Sequence, residues 1–364
     1  MDDIQMDSSP GYPWVMLGST NEEVLKNNGL LVWDCVETRM TYIRDNFERI
    51  QTMSPEELVK FGVCDPVKIF IKKEPHSSKK VATGMYRIIA SVSICDQIVT
   101  RLTAFRQNKA EIANWRTCPS KPGLGLNDQG LAILAARFKE ILTRHNLMET
   151  DVSSWDWTVQ DWELRMDAKA RNKLAGKSDD STFGKLNLVH AYVVANSVFV
   201  TCDGAMFAQV IPGGQLSGCY NTSSTNSRMR VLLSMVSRHM LDPMLTIEFS
   251  KNVDVESMGD DTVEAEVPGI KVIMEDLGHI VKQVAIRTQL AGLEFCSQTF
   301  REDGTAYPTD PHKTFFRYLS HPVDDSNYPA YMAQLMYYFR HMEPGKLESF
   351  KQTALKRVER LRNL

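Results

Sequence analysis

Along this chain, stretches with apolar residues three and four apart alternate with stretches of two-residue alternation, so helices and strands are interleaved. From about Asn21 to Gln51 the spacing predicts a helix. "SPEELVKFG" at 54–62 predicts a short one, with Ser54 as N-cap and Pro55 at its first position. "VKIFIKKE" alternates as a strand does. "CPSKPGLGLND" at 118–128 reads as a loop, and after it Leu131, Leu134, Phe138, Ile141 and Leu142 share one helical face. "METDVSSWDW" predicts a strand running into a turn, and 181–200 predict a helix around Leu186, Val189, His190 and Val193. "AMFAQVIPGGQLSG" reads as a strand pair or as a strand ending in a Gly-rich loop. A helix follows from about Tyr220 to His239. "VDVESMGDDTVEAEV" predicts two short strands around a turn, a hairpin. Helical spacing returns near Lys271–Leu277, and "LEFCSQTF" is strand-like. In the last segment Leu347, Phe350, Ala354, Val358 and Leu361 fall on one helical face. No internal repeat, low-complexity tract or flexible linker interrupts this order.

Composition narrows the reading. The chain has 364 residues and 43% apolar content, enough for a large core and more than one lobe. A net charge of −3 gives no global sign of nucleic-acid binding, so any basic surface must come from local clustering. The 7 cysteines form no CxxC pair and no regular spacing, which predicts free thiols in a cytosolic setting rather than disulfides or a zinc site. No apolar run approaches the ~20 residues of a membrane span. The acidic start "MDDIQMDSSP" does not read as a signal peptide.

Four segments carry candidate chemistry. In "SMGDDTVE", Asp260 and Asp261 stand side by side although adjacent carboxylates repel; in a tight turn they can remain at the solvent edge. There they serve either as an ordinary hairpin turn or, with a carboxylate from elsewhere, as ligands of Mg²⁺ bridging to phosphate. "TDVSSWDW" offers Asp151, ending a strand, and Asp156 across a turn; either could also be a plain turn cap. "GGQLSGCYNTSSTNS" is a Gly-rich loop opening a helix, with Thr222 and Asn226 on one face; Asn226 has both donor and acceptor for a ribose hydroxyl. "KKEPHSSKKVATGMYR" crowds Lys72, Lys73, Lys79, Lys80 and Arg87 around Glu74 and His76. It is either a solvated face or a set of cations for a triphosphate.

In order, "SSPGYPW", "KKEPHSSKKVATGMYR", "DVSSWD", "SGCYNTSSTNS", "GDD" and "EFCSQTF" resemble motifs G, F, A, B, C and E of positive-strand RNA virus RNA-dependent RNA polymerases. "KKEPH", "SPGYPW" and "FCSQTF" are most similar to the sobemovirus-like (solemovirus) branch. The resemblance implies an α+β right-hand fold with an antiparallel palm sheet flanked by helices. Residues 1–145 would be mainly fingers, 146–300 the palm with a fingers insertion near 165–215, and 301–364 a largely helical thumb. It implies two Mg²⁺ ions, with Mn²⁺ as a substitute, on Asp151, Asp260 and, more weakly, Asp261. Asp156 and Asn226 would meet the ribose 2′-OH, and Ser217, Gly218 and Thr222 would shape the nucleotide pocket. Lys72, Lys80 and Arg87 would meet the triphosphate; His76 stands where many relatives carry a basic residue. Ser9, Pro10, Gly11 and Tyr12 would guide the template, and Phe295, Cys296 and Ser297 would support the primer end. Lys282 in "GHIVKQ" would be the general acid of motif D, with Lys271 as the alternative. The implied partners are template and product RNA, ribonucleoside triphosphates and a protein primer such as a VPg. The implied place is the host cytoplasm, at membrane-associated replication complexes reached through partners.

Motif G begins within the first dozen residues, where relatives usually have a longer N-terminal region. The expectation is either a processed or truncated piece of a polyprotein or less enclosed fingers. Two rivals remain. Reverse transcriptases share the paired aspartates but usually carry a bulky residue where Asp156 stands. A non-catalytic RNA-binding scaffold would not need Asp151, Asp260 and Arg87 intact.

Overall fold

Helix starts are written into the chain by short polar side chains. Thr20, Ser54, Ser77, Ser93, Asn127 and Ser181 each accept a hydrogen bond from the backbone N–H three residues on. At Ser54 the bond is reciprocated by Glu57, and Pro55 opens the helix Pro55–Lys60 as the sequence predicts. The computed structural model describes residues 4–320, 323–324 and 326–362; of 357–362 only the backbone is described.

The strands are β1 (Val67–Ile71), β2 (Ile88–Ser91), β3 (Leu147–Val152), β4 (Val198–Val200), β5 (Met206–Ala208), β6 (Val255–Met258), β7 (Asp261–Ala265), β8 (Val281–Arg287), β9 (Glu294–Phe295), β10 (Gln298–Phe300) and β11 (Ala306–Pro308). They form three sheets, in the orders β2-β1-β4-β5, β6-β7-β3-β8 and β11-β10-β9. The second sheet is wholly antiparallel and forms the centre of the molecule. The first contains one parallel pairing, β1 with β4, because the chain returns to it through a long helical excursion.

The central sheet is buried on both faces. Its pleat sends Leu147, Val263 and Ala265 into a core with Leu131, Leu134 and Phe138 of the helix Asp128–Leu142. Met148 and Val152 point the other way, into a core with Met229 and Leu233 of the helix Thr222–Leu241. The outer edge of β6 is covered: Ser257 N–H donates to Pro119 O at 2.9 Å and Ser257 O accepts from Lys121 N–H at 2.8 Å, so 119–121 shield an edge that would otherwise be open. A third core gathers the helix Asn21–Asp45 and the helix Ile94–Ala113, and a fourth holds Phe315, Leu335, Phe339, Met342, Phe350 and Ala354 of the C-terminal helices. Leu347, Phe350 and Ala354 lie together there as expected; the side chains of Val358 and Leu361 are outside the described residues.

Two expectations need correction, and two helices were not foreseen. The helix expected over 181–200 ends at Ala195, and 198–200 is β4. "LEFCSQTF" is not one strand but the hairpin β9–β10, turned by Cys296 and Ser297 at φ 51° and 59°. The 20-residue helix Ile94–Ala113 and the helix Asp161–Leu174 were not evident from apolar spacing, because their buried faces carry Thr100, Thr103 and Asn108, and Glu163, Asp167 and Arg171. Among the described residues no helix is long and apolar enough to cross a membrane. All 7 cysteines are free thiols.

Candidate active site

The expected hairpin is present. Met258 pairs with Asp261, so Gly259 and Asp260 form a two-residue turn, and Gly259 supplies the positive φ of 65° that such a turn requires. Asp260 is therefore at the tip and Asp261 opens β7. On neighbouring β3, Thr150 faces Thr262 across the ladder, which puts Asp151 next along and on the same side of the pleat as Asp261. Asp151 is held by Lys282 of β8, whose Nζ donates to its Oδ2 at 2.7 Å. Both aspartates of the turn keep solvent contact. The cleft walls still desolvate the Asp261 carboxyl; with the negative charges of Asp260 and Asp151 this pushes it up to about 6.

The raised Asp261 carboxyl is the observation against which a cation can be tested. Hard carboxylate oxygens from adjacent strands, with the Asp261 carboxyl pushed up by burial and by its two acidic neighbours, suit a divalent ion. Among the described residues no three acidic, histidine or cysteine side chains are drawn close enough to hold one alone. For a Mg²⁺ ion here, water and phosphate oxygens would have to complete the shell.

The helix Thr222–Leu241 runs behind these strands and presents Asn226, Arg230, Ser234 and Arg238, four apart, to them. Asn226 Nδ2 donates to Asp156 Oδ1 at 3.3 Å, while Asn226 Oδ1 is buried with no partner. Burial pushes the Asp156 carboxyl up; the Asn226 bond opposes this, Asp260 adds to it, and Arg87 opposes it. Arg230 is fully buried and donates to Thr262 Oγ1 at 3.0 Å and to Thr150 Oγ1 at 2.5 Å, the residues beside Asp261 and Asp151. Ser227 Oγ accepts from Gly259 N–H at 2.8 Å and so ties the turn to the same helix. Sequence reasoning missed Ser227 and Arg230. The signal for Arg230 was present as a polar residue four beyond Asn226 on the face that an ordinary amphipathic helix would fill with apolar side chains.

The other predicted residues fall into groups. Ser217 Oγ accepts from Ala90 N–H at 3.1 Å, and a Cβ on Gly218 would meet Ala90 O at 1.9 Å, so this pair docks the Gly-rich loop on β2. Thr222 donates to carbonyls of the same loop, Leu216 and Cys219, both at 2.9 Å. Lys72 and Arg87 flank Glu74 at 3.0 and 3.1 Å. Burial would raise the Glu74 carboxyl, but Lys72 and Arg87 hold it below its ordinary value. Lys80 is exposed on the short helix Ser78–Ala82, and the His76 ring meets Tyr86 edge-on. Ser9, Pro10, Gly11 and Tyr12 lie at the start of the helix Ile94–Ala113, where Pro10 O accepts from Ile94 N–H at 2.8 Å. Gly11 is required there: its φ is 72° and a Cβ would meet Ser93 Cα at 2.7 Å. Phe295 is buried against Phe138, edge to face at 5.8 Å. Lys271 pairs with Glu275 of its own helix, so of the two lysines it is Lys282 that reaches Asp151.

One cavity of about 450 Å³ joins much of this: Asp151, Asp261, Lys282, Cys296 and Ser297 line it, with Lys313 and Arg317 of the helix Pro311–Ser320 on the far wall. A family model described as viral RNA-directed RNA-polymerase matches residues 3–323. The chain belongs to that family, and it is an RNA-directed RNA polymerase. It is 48% identical to the RNA-directed RNA polymerase of Mushroom bacilliform virus over 361 residues, 99% of this chain and 85% of that protein. It is 39% identical to the replicase polyprotein P2AB of Southern bean mosaic virus, covering 87% of this chain and 32% of the polyprotein, and 35% identical to protein P1-P2 of Turnip yellows virus, covering 95% and 33%. The chain thus spans most of the first relative and about a third of the other two, and it stands near the sobemovirus-like replicases.

Proposed function

We propose that this chain adds ribonucleotides to the 3′ end of a growing RNA strand on an RNA template, by two-metal phosphoryl transfer, in replication and transcription of a viral genome. Asp151 and Asp260, with Asp261 as a weaker ligand, would hold two Mg²⁺ ions, for which Mn²⁺ can substitute. When bound, such ions stabilise charge on the attacking and leaving oxygens. Lys282, whose Nζ reaches Asp151, would give a proton to the departing pyrophosphate. Arg87, Lys72 and Lys80 would balance the triphosphate charge, Glu74 holding the first two in readiness. Ser217, Gly218 and Thr222 act through the loop they fix, and Ser9–Tyr12 and Phe295–Ser297 would guide template and primer. In this reading residues 1–145 are mainly fingers, 146–300 the palm with an insertion near 165–215, and 301–364 the thumb. RNA, ribonucleoside triphosphates and a VPg-like protein primer are the partners, in the host cytoplasm at membrane-associated complexes.

The observation that carries the choice of sugar is the buried, unpaired Oδ1 of Asn226 beside Asp156. A buried acceptor without a donor is costly, and a ribose hydroxyl supplies one. A 2′-deoxy analogue leaves it unpaired. Single-nucleotide extension with rNTPs and dNTPs tests this. Wild type should strongly prefer rNTPs, and Asn226→Ala should cut the ratio of kcat/KM values by roughly 100-fold or more. An unchanged ratio would contradict the reading.

A further inference from the structure

"GHIVKQ" carries a second residue that none of the steps above uses. His279 is only 2% exposed. Its ring lies flat on the Trp155 indole, centroids 5.0 Å apart and planes 9° from parallel. Its Nε2 hydrogen-bonds Glu163 Oε1 at 3.2 Å, and its Nδ1 lies 3.3 Å from the Thr158 hydroxyl. The other Glu163 oxygen accepts from Gln160 N–H at 2.8 Å, and the Gln160 side chain donates to Thr158 O at 2.7 Å. All these partners lie in 155–163, the segment whose second residue is Asp156.

The backbone around His279 grips the same segment. A Cβ on Gly278 would meet Gln160 Nε2 at 2.7 Å, and Ser153 N–H donates to Ile280 O at 2.8 Å. The turn also needs holding. Ser154 enters it at φ 52°, a left-handed conformation that a serine adopts at a cost. Arg230 stands 5.2 Å from the Trp155 ring and bonds the threonines next to Asp151 and Asp261. The Asp156 turn is thus fixed on one side to the strands of the acidic site and on the other to the loop that leads into Lys282.

We propose that His279 is a positioning residue for sugar selection: by stacking on Trp155 and bonding Glu163 and Thr158 it holds Asp156 where, with Asn226, it meets the 2′-OH. This rests on the reading of Asp156 and Asn226 given above. A buried histidine–glutamate pair that served only to stabilise the core would, on substitution, lower use of rNTPs and dNTPs alike. A positioning residue would instead lower rNTP use selectively, because displacement of Asp156 matters only to the sugar that it contacts.

The test is single-nucleotide extension by the full chain with rNTP and dNTP, on wild type, His279→Phe, Thr158→Val and Asn226→Ala, with thermal melts alongside. His279→Phe keeps a ring on Trp155 and removes both hydrogen bonds; Thr158→Val keeps the volume and removes the contact with His279 Nδ1 together with the hydroxyl's own bond to Trp155 O. The expected result is a fall of about tenfold or more in the rNTP:dNTP ratio of kcat/KM for His279→Phe, a smaller fall for Thr158→Val, and a large one for Asn226→Ala. If Asn226→Ala changes the ratio while both other variants leave it at the wild-type value, the role of His279 is overturned and the sugar site stands. If Asn226→Ala also leaves it unchanged, the sugar site itself fails and the inference with it. Should His279→Phe not fold, His279→Gln, which loses the ring stacked on Trp155, takes its place with the same expected and overturning results.

Discussion

At the scale of single residues the site is built from polar groups that answer one another. Lys282 sits on Asp151, Arg87 and Lys72 sit on Glu74, and Asn226 sits on Asp156. Each pair places a group that the reaction would need beside one that keeps it ordered. Arg87 gives a sharp prediction. Its planar guanidinium can take two phosphate oxygens at once, and a lysine cannot copy that geometry. Arg87→Lys should lower kcat/KM for nucleotide by about tenfold, the worth of roughly one charge-assisted hydrogen bond, while template affinity changes less because many contacts share that load. Steady-state incorporation beside an RNA-binding titration measures both. Equal losses would put Arg87 on the template path, and no loss would make it part of a solvated face.

At the scale of elements, what was legible in the sequence was whatever depended on near neighbours. The Ser54–Pro55 helix start, the Gly259–Asp260 turn and the face shared by Thr222 and Asn226 all follow from residues a few positions apart. What was not legible depended on partners far along the chain. β4 could not be told from a helix end because its strand partner is β1, and Arg230 and His279 looked like ordinary polar residues until Thr150, Thr262, Trp155 and Glu163 came to them. The helix Thr182–Ala195 also holds a titrating group of this kind. Burial, and then the Arg171 charge, push His190 from 6.5 down to about 4, with Asp167 opposing. The unfolded chain takes up this proton below its ordinary value and the folded chain does not. The stabilisation is therefore complete above 6.5 and is lost as pH falls toward 4. Melting temperatures of wild type and His190→Gln, measured from pH 7 to pH 4.5, should show the steeper acid loss in wild type. Parallel curves would mean that His190 titrates normally.

At the scale of the molecule, four apolar cores carry three sheets among the described residues, and the acidic hairpin lies on the central sheet between two of those cores. The C-terminal helices have a core of their own, against which Tyr307 of β11 packs, and contacts with the rest include the Gln298–Tyr338 bond at 2.8 Å, the Arg301 bond to His341 O at 2.5 Å and the Arg340 and His341 contacts with Asp128, at 2.7 and 2.6 Å. Phe339 is fully buried in that core, so Phe339→Ala should cost about 3–5 kcal/mol. By hydrogen exchange the loss of protection should be concentrated in 311–354 and leave β3 and β7 protected; uniform loss would mean that the two parts unfold together. The central claim is that Asp151 and Asp260, which the fold brings to the Asp261 carboxyl from β3 and from the hairpin tip, would be the groups on which nucleotide addition depends. Single-nucleotide extension with Mg²⁺ by Asp151→Ala and by Asp260→Ala, with circular dichroism to show that each still folds, tests it most directly. The account predicts folded proteins with no measurable addition; near-normal extension by either variant would contradict it.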